Sequence, residues 1–331
     1  MNIGPVTNHP AAVSVAEPIT PAYERVKQML FRPFDLARWV TLGFCAWLAG
    51  LGESGGFSGN YGGGNNHHFD HNGQPLDEFR HLYAEASSYV LGNLYWIIPA
   101  AMFLITFCLA LWVVLLWLNS RGKFMFLHCV SRNVAEVQKP WNQYAAQANS
   151  LFRFQLCLGL ASLLLILPAM VFTVILGVQM ALSGVPVLAK ILMMAALILG
   201  AILLALIFAI VKKFLHDFVV PIQFLRNQSC LNAWREFWEL LKIHPGQFAL
   251  YLLFQIVMAI AIGTIVILAI LLTCCLAGCL MVIPFIGTVL LLPVLIFKRS
   301  YSLYYLAQYG PNYDVFPPPA PAAPTTPLPN A

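Results

Sequence analysis

The chain has 331 residues, of which 60% are hydrophobic and only 9% charged, whereas ordinary globular domains carry about 25% charged residues. With a mean hydropathy of +0.76, it holds more apolar side chain than a water-soluble fold of this size can hide. The composition therefore excludes a typical soluble domain and points to a lipid bilayer. The net charge of +5 is less informative than its distribution, because charges decide which segments stay on which side of a membrane.

Residues 1–20 contain Pro5, Pro10 and Pro18 and no apolar run. They read as a disordered N-terminus without a cleavable signal peptide. The first apolar segment is short, Trp39–Leu51, and extends back to about Phe34. The next five are Tyr89–Leu118, Phe154–Leu182, Ile191–Val211, Phe248–Thr273 and Cys274–Phe297. A crossing helix needs about 20 apolar residues, which the last five satisfy and the first does not.

Charge supports the first as a span. Sixteen of the eighteen lysines and arginines lie before segment one, between two and three, between four and five, or after six. Basic residues resist translocation, so these stretches belong on the cytoplasmic side. Only six crossings, with both termini inside, put them all there. The connection 54–88 is then external, rich in Gly and Asn at its start. Its acidic residues, with Glu53, outnumber Arg80 by a net charge of −4, and residues 75–88 are expected to form a short helix. The tail from Pro311 has eight prolines in 21 residues and reads as disordered or polyproline II.

Three stretches share one pattern. Tyr23, Val26, Met29 and Leu30 recur at helical spacing, as do Trp141, Tyr144, Ala145 and Ala148, and Trp234, Phe237, Trp238 and Leu241. Each is an amphipathic helix by its period, and each runs into a hydrophobic hairpin. Tyr23, Trp141, Trp234 and Trp238 are accordingly assigned to the headgroup layer, where such rings are favoured. Burial of the same faces against the bundle would leave an identical period. Pro33 and Pro245 mark the corner between amphipathic and crossing helix. Arg132-Asn133 and Arg226-Asn227 form a further matched pair.

The expected fold is all-α: a polytopic six-transmembrane helical bundle built from three repeats of an interfacial helix plus a helical hairpin. The units are a disordered 1–20, repeats at 21–118, 119–211 and 212–310, and a Pro-rich tail at 311–331.

Chemistry is harder to find. The six apolar segments contain no ionisable side chain except cysteines and tyrosines, only amides such as Asn93, Gln155, Gln179 and Gln255 beside a few hydroxyls. Intramembrane charges would mark transport paths or catalysis. Gly52-Glu53-Ser54-Gly55-Gly56 matches G-x-S-x-G, but it enters a glycine tract instead of the strand–turn–helix that strains a nucleophilic serine. His67, His68, Asp70 and His71 suit a transition metal by type, but their spacing matches no closed site. His128, His216 and His244 are far apart and read as polar residues at the interface. Cys274, Cys275 and Cys279 lie near an outer turn, and their oxidation state stays open. No catalytic, cofactor or metal site is expected, and the partners expected are membrane lipids, not nucleic acid.

Ala22-Tyr23-Glu24-Arg25, Leu30-Phe31-Arg32-Pro33-Phe34 and the run from Gly43 to Glu53 resemble an uncharacterised bacterial multi-pass membrane protein family over nearly the whole chain. Asp217-Phe218-Val219-Val220-Pro221 followed by Ala233-Trp234 resembles, more distantly, the six-helix membrane domain of some glycerophosphodiester phosphodiesterases. The first likeness implies a bacterial inner membrane. The second implies no activity, because that enzyme's soluble domain is missing from this sequence. The expected role is a non-enzymatic scaffold or lipid-interacting protein. The alternative is a transporter or channel for lipid-like or small solutes, suggested by the repeat and by Pro99, Pro168, Pro284 and Pro293 within the spans.

Overall fold

The computed structural model describes residues 13–51, 92–182, 186–273, 278, 280–281 and 283–316. They form helices α1 (Ile19–Leu30), α2 (Leu36–Gly50), α3 (Leu94–Arg132), α4 (Gln138–Gln143), α5 (Ala145–Leu182) and α6 (Val187–Phe214). A π-helical turn, Leu215–Val219, joins α6 to α7 (Val220–Arg226). Then come α8 (Cys230–Ile243), α9 (Pro245–Leu272), α10 (Pro284–Leu290), α11 (Leu292–Ala307) and a 3-10 turn at Pro311–Tyr313. No strand occurs among the described residues.

Four stretches are long and apolar enough to cross a membrane: Leu94–Arg132, Ala145–Gly177, Leu188–Arg226 and Pro245–Leu272. In the first three, none of the most apolar window is buried inside the protein. Lipid is the solvent these faces require. In α6, residues 191–211 include thirteen Leu, Ile, Val or Phe, together worth roughly −4 to −8 kcal/mol of insertion free energy.

The helices overrun the apolar segments read from sequence. α3 continues through Arg121, Lys123 and Arg132, and α6 through Lys212 and Lys213. Hydropathy stops at a charge, but the backbone ladder does not, provided the charge finds a partner. Pro99 and Pro168 lie inside unbroken α3 and α5. Pro284 and Pro293 instead open α10 and α11, where the missing N–H costs nothing. Pro245 likewise opens α9.

The core gathers at one end of the bundle, the base. Buried residues of α3 begin at Asn119, and those of α11 run from Leu292 to Leu306. At its centre the Phe218 ring stacks on Phe237, 5.4 Å away and 8° from parallel, and meets Phe248 edge-on at 5.2 Å. Gly122 lets α2 approach closely: a Cβ there would collide with the backbone at Leu48 and Ala49.

The first described residues meet α11 and the stretch after it at the base. The Ser14 amide donates to Gln308 Oε1 at 2.7 Å, and Tyr301 donates its hydroxyl hydrogen to the Val15 carbonyl at 2.7 Å. The Phe316 ring stacks on Tyr304 with centroids 4.2 Å apart. Ser14, Val15 and Phe316 are thus anchored and Pro18 and Val315 buried, where composition suggests disorder out to residue 20 and from 311 onward. Composition does not register a tertiary anchor made by a few side chains. The rest of both terminal stretches lies outside the described residues.

Candidate functional site

The base is organised by cations that meet helix ends. The last carbonyls of an α-helix lack intrahelical donors and favour positive charge. Arg25 reaches from α1 to the end of α3, its Nη2 donating to Val130 O at 2.8 Å and Ser131 O at 2.6 Å. Arg38 Nη2 donates to both the carbonyl and Oδ1 of Asn133 at 2.7 Å. Arg121 donates to Trp141 O at 2.8 Å, its guanidinium lying 5.2 Å from the Trp117 and Trp141 ring centroids. Burial lowers the pKa of Arg25 from its ordinary value, partly offset by Tyr304. These arginines therefore have a use inside the protein beyond fixing topology.

Asn133 and Asn227 both adopt left-handed backbone conformation, with φ of 58° and 49°. Asparagine is one of the few residues to do so routinely. Each ends its helix: Asn133 caps α3 and Asn227 caps α7.

A buried polar cluster is built on the π turn. There the Val220 amide reaches back five residues to Leu215 O. Such turns change the register of the following side chains and leave a carbonyl to be satisfied from elsewhere. Arg299, buried on α11, donates from Nη1 to His216 O at 2.7 Å. Asp217, whose side chain is 5% exposed, pairs with Lys213 Nζ at 2.8 Å one turn back. It also accepts from Tyr251 OH on α9 at 2.9 Å and lies 3.1 Å from His216 Nδ1. Lys213 Nζ further approaches Gln255 Oε1 at 3.5 Å. A buried carboxylate must be compensated in this way or not be charged at all. With both oxygens engaged, Asp217 works as a tie between α6, the π turn and α9, and is not poised as a base.

The apolar pattern places Lys212 through Asp217 in a connection and His216 at an interface. The structure makes them continuous with α6 and buries Asp217. A signal was present: Asp217 stands among Phe214, Leu215, Phe218, Val219 and Val220, four residues after Lys213. That lysine–aspartate spacing puts the pair on one helix face.

Of the four residues assigned to the interface, Tyr23 is 54% exposed and Trp238 46%, each beneath a lysine ammonium, Lys27 and Lys242. Trp141 and Trp234 are half-buried, against Trp117 and Phe154 respectively. The inward edges of these helices are carried by Ala22, Val26, Met29 and Leu30, by Tyr144 and Ala148, and by Cys230, Ala233 and Phe237. His128 contacts Tyr144 OH at 3.3 Å, and His244 packs on Tyr309. Among the described residues, no three His, Cys, Asp or Glu side chains assemble as metal ligands. Ser54, the 67–71 histidine cluster, the expected 75–88 helix, Cys274, Cys275 and Cys279 lie outside the described residues. A cavity of about 410 Å³ opens at the base between Asp35, Arg38, Asn133 and Glu136.

A family model described as a family of unknown function, DUF7544, matches residues 13–292. No curated protein and no solved structure matches the chain.

Proposed function

The chain belongs to DUF7544, a family of unknown function, and from that premise we propose a multi-pass, non-enzymatic membrane protein that acts as a scaffold or through contact with lipids. The observation that carries this is the contrast between the two ends of the helices. Their apolar lengths expose Leu, Ile, Val and Phe, as at Phe103, Leu164, Leu203 and Ile260. Their polar side chains close on one another at the base.

In this reading the chain crosses six times, α2 and the α10–α11 region adding to the four long helices. Three units alternate, each a base helix followed by a hairpin. Support comes from the matched left-handed asparagines before α4 and α8, and from α1 lying against α11. Tyr23, Trp141, Trp234 and Trp238 sit at the headgroup level. The basic connections argue for a base facing the cytoplasm, in the bacterial inner membrane that the resemblance of the first-span residues implies.

A transporter or channel needs a polar passage at mid-span. The unbroken course of α3 and α5 through Pro99 and Pro168 argues against prolines opening one, and the cavity described above lies at the base. The test is purification in mild detergent followed by native mass spectrometry. Co-purified phospholipid, with no bound metabolite, is expected. Protein that survives lipid stripping unchanged and carries a stoichiometric soluble metabolite would refute the reading.

A further inference from the structure

Arg121 is a cation without an anion. It follows Leu118, where the apolar run of α3 ends, by less than one helical turn. Its guanidinium lies 5.2 Å from both the Trp117 and the Trp141 ring centroids, and those two rings meet edge-on at 5.8 Å. Nη1 donates to the Trp141 carbonyl at 2.8 Å, but no carboxylate pairs with Arg121 among the described residues. Residues 94–132 and 137–182, which hold α3, α4 and α5, contain no Asp or Glu. Nη2 makes one exposed contact, 3.4 Å to Asn149 Oδ1, which is long for a hydrogen bond and open to exchange for a stronger acceptor. Arg153, exposed on α5, comes four residues after Asn149 and so shares its helix face. It adds a second positive charge on that side.

Apolar surface runs up from this guanidinium on the same unbroken helix. Trp117, Val114, Phe107 and Phe103 precede Arg121 on α3 by about one, two, four and five turns, which keeps them all on its face. Val114, Phe107 and Phe103 are exposed, and Trp117 is half-buried. A free phosphate would meet the guanidinium and leave that stripe bare, whereas a phospholipid covers both. With no carboxylate in these helices to answer a choline or ethanolamine ammonium, the charge favours a headgroup that is negative overall.

We propose that Arg121 binds the phosphate of an anionic glycerophospholipid, with an acyl chain lying along the Trp117–Phe103 stripe of α3. The proposal rests on the lipid-contact reading above and adds a site and a headgroup preference to it. A guanidinium–phosphate contact is a charge-assisted hydrogen bond. Indole rings beside it suit the headgroup level, where one edge is apolar and the other wet.

The test uses full-length protein in a neutral detergent, titrated with phosphatidylglycerol or phosphatidylcholine and read by native mass spectrometry. The wild type should take up one phosphatidylglycerol selectively. R121Q keeps a donor for the Trp141 carbonyl but no charge, and should lose that preference by about tenfold or more. R121K and the exposed α6 variant K212M should keep it. A second readout leaves Arg121 in place: phosphatidylglycerol brominated on its acyl chains should quench tryptophan fluorescence in the wild type, and W117F should lose most of that quenching. Undiminished preference in R121Q, equal loss in K212M, or W117F quenched like wild type would overturn the site. Displacement by millimolar inorganic phosphate would overturn the lipid as occupant. Indiscriminate retention of every lipid class sinks this site but leaves the lipid-contact reading standing; retention of none sinks both.

Discussion

Replacing Asp217 by alanine tests whether the buried carboxylate ties three elements together. The substitution removes the acceptor of the fully buried Tyr251 hydroxyl and the counter-charge of Lys213. A hydrogen bond to a charged group is worth about 1.5–3 kcal/mol. Lys213 is over one-third exposed and can turn toward solvent, so its share is discounted. Together these give a loss of roughly 3–5 kcal/mol, the range for broken buried ion pairs. Tyr251→Phe alone should cost about 1.5–3 kcal/mol. The double variant should be no worse than Asp217→Ala, because the orphaned hydroxyl goes with its partner, giving a coupling of similar size. Reversible unfolding by SDS in mixed micelles, followed by tryptophan fluorescence, measures all four corners of the cycle. Stability of Asp217→Ala within about 0.5 kcal/mol of wild type, or strict additivity of the two changes, would refute the reasoning.

Other substitutions probe the base. Gly122→Ala drives a methyl into the backbone of α2 at Leu48 and Ala49 and should cost at least the 1–3 kcal/mol typical of overpacking, read in the same unfolding assay. Asn227→Gly should stay within about 0.5 kcal/mol of wild type, since its side chain holds only an exposed 3.2 Å bond from Gln147. Asn133→Gly should cost about 1.5–3 kcal/mol, because it deletes the side-chain acceptor of Arg38 Nη2 and leaves only the carbonyl at that position. Equal effects at the two asparagines would show that backbone conformation alone matters there.

What the sequence displayed and what it hid divide along physical lines. Apolar runs reported helices that need lipid, because that property sums over some twenty side chains. The ends of those helices were misjudged, since α3 and α6 cross their charges wherever a carbonyl or carboxylate waits. Arg25 finds Val130 across 105 positions and Arg38 finds Asn133 across 95. Such bonds go to main-chain atoms, which have no side-chain signature. The paired Arg-Asn dipeptides were visible as a match, but their cause, a left-handed helix cap, is conformational. The Asp217 cluster joins residues from α6, α9 and α11, and only its Lys213–Asp217 portion is local enough to be read along the chain.

The central claim is a bundle whose base stays on one side of a membrane while apolar helices cross it. Single cysteines placed at Gly62, Asn142 and Gln228 can be challenged in intact cells with a membrane-impermeant maleimide, with the parent chain as blank. Labelling at Gly62 alone, and of all three after permeabilisation, is the outcome the account predicts. Labelling at Asn142 and Gln228 with Gly62 protected would invert the orientation, and labelling at only one of Asn142 and Gln228 would contradict the bundle itself.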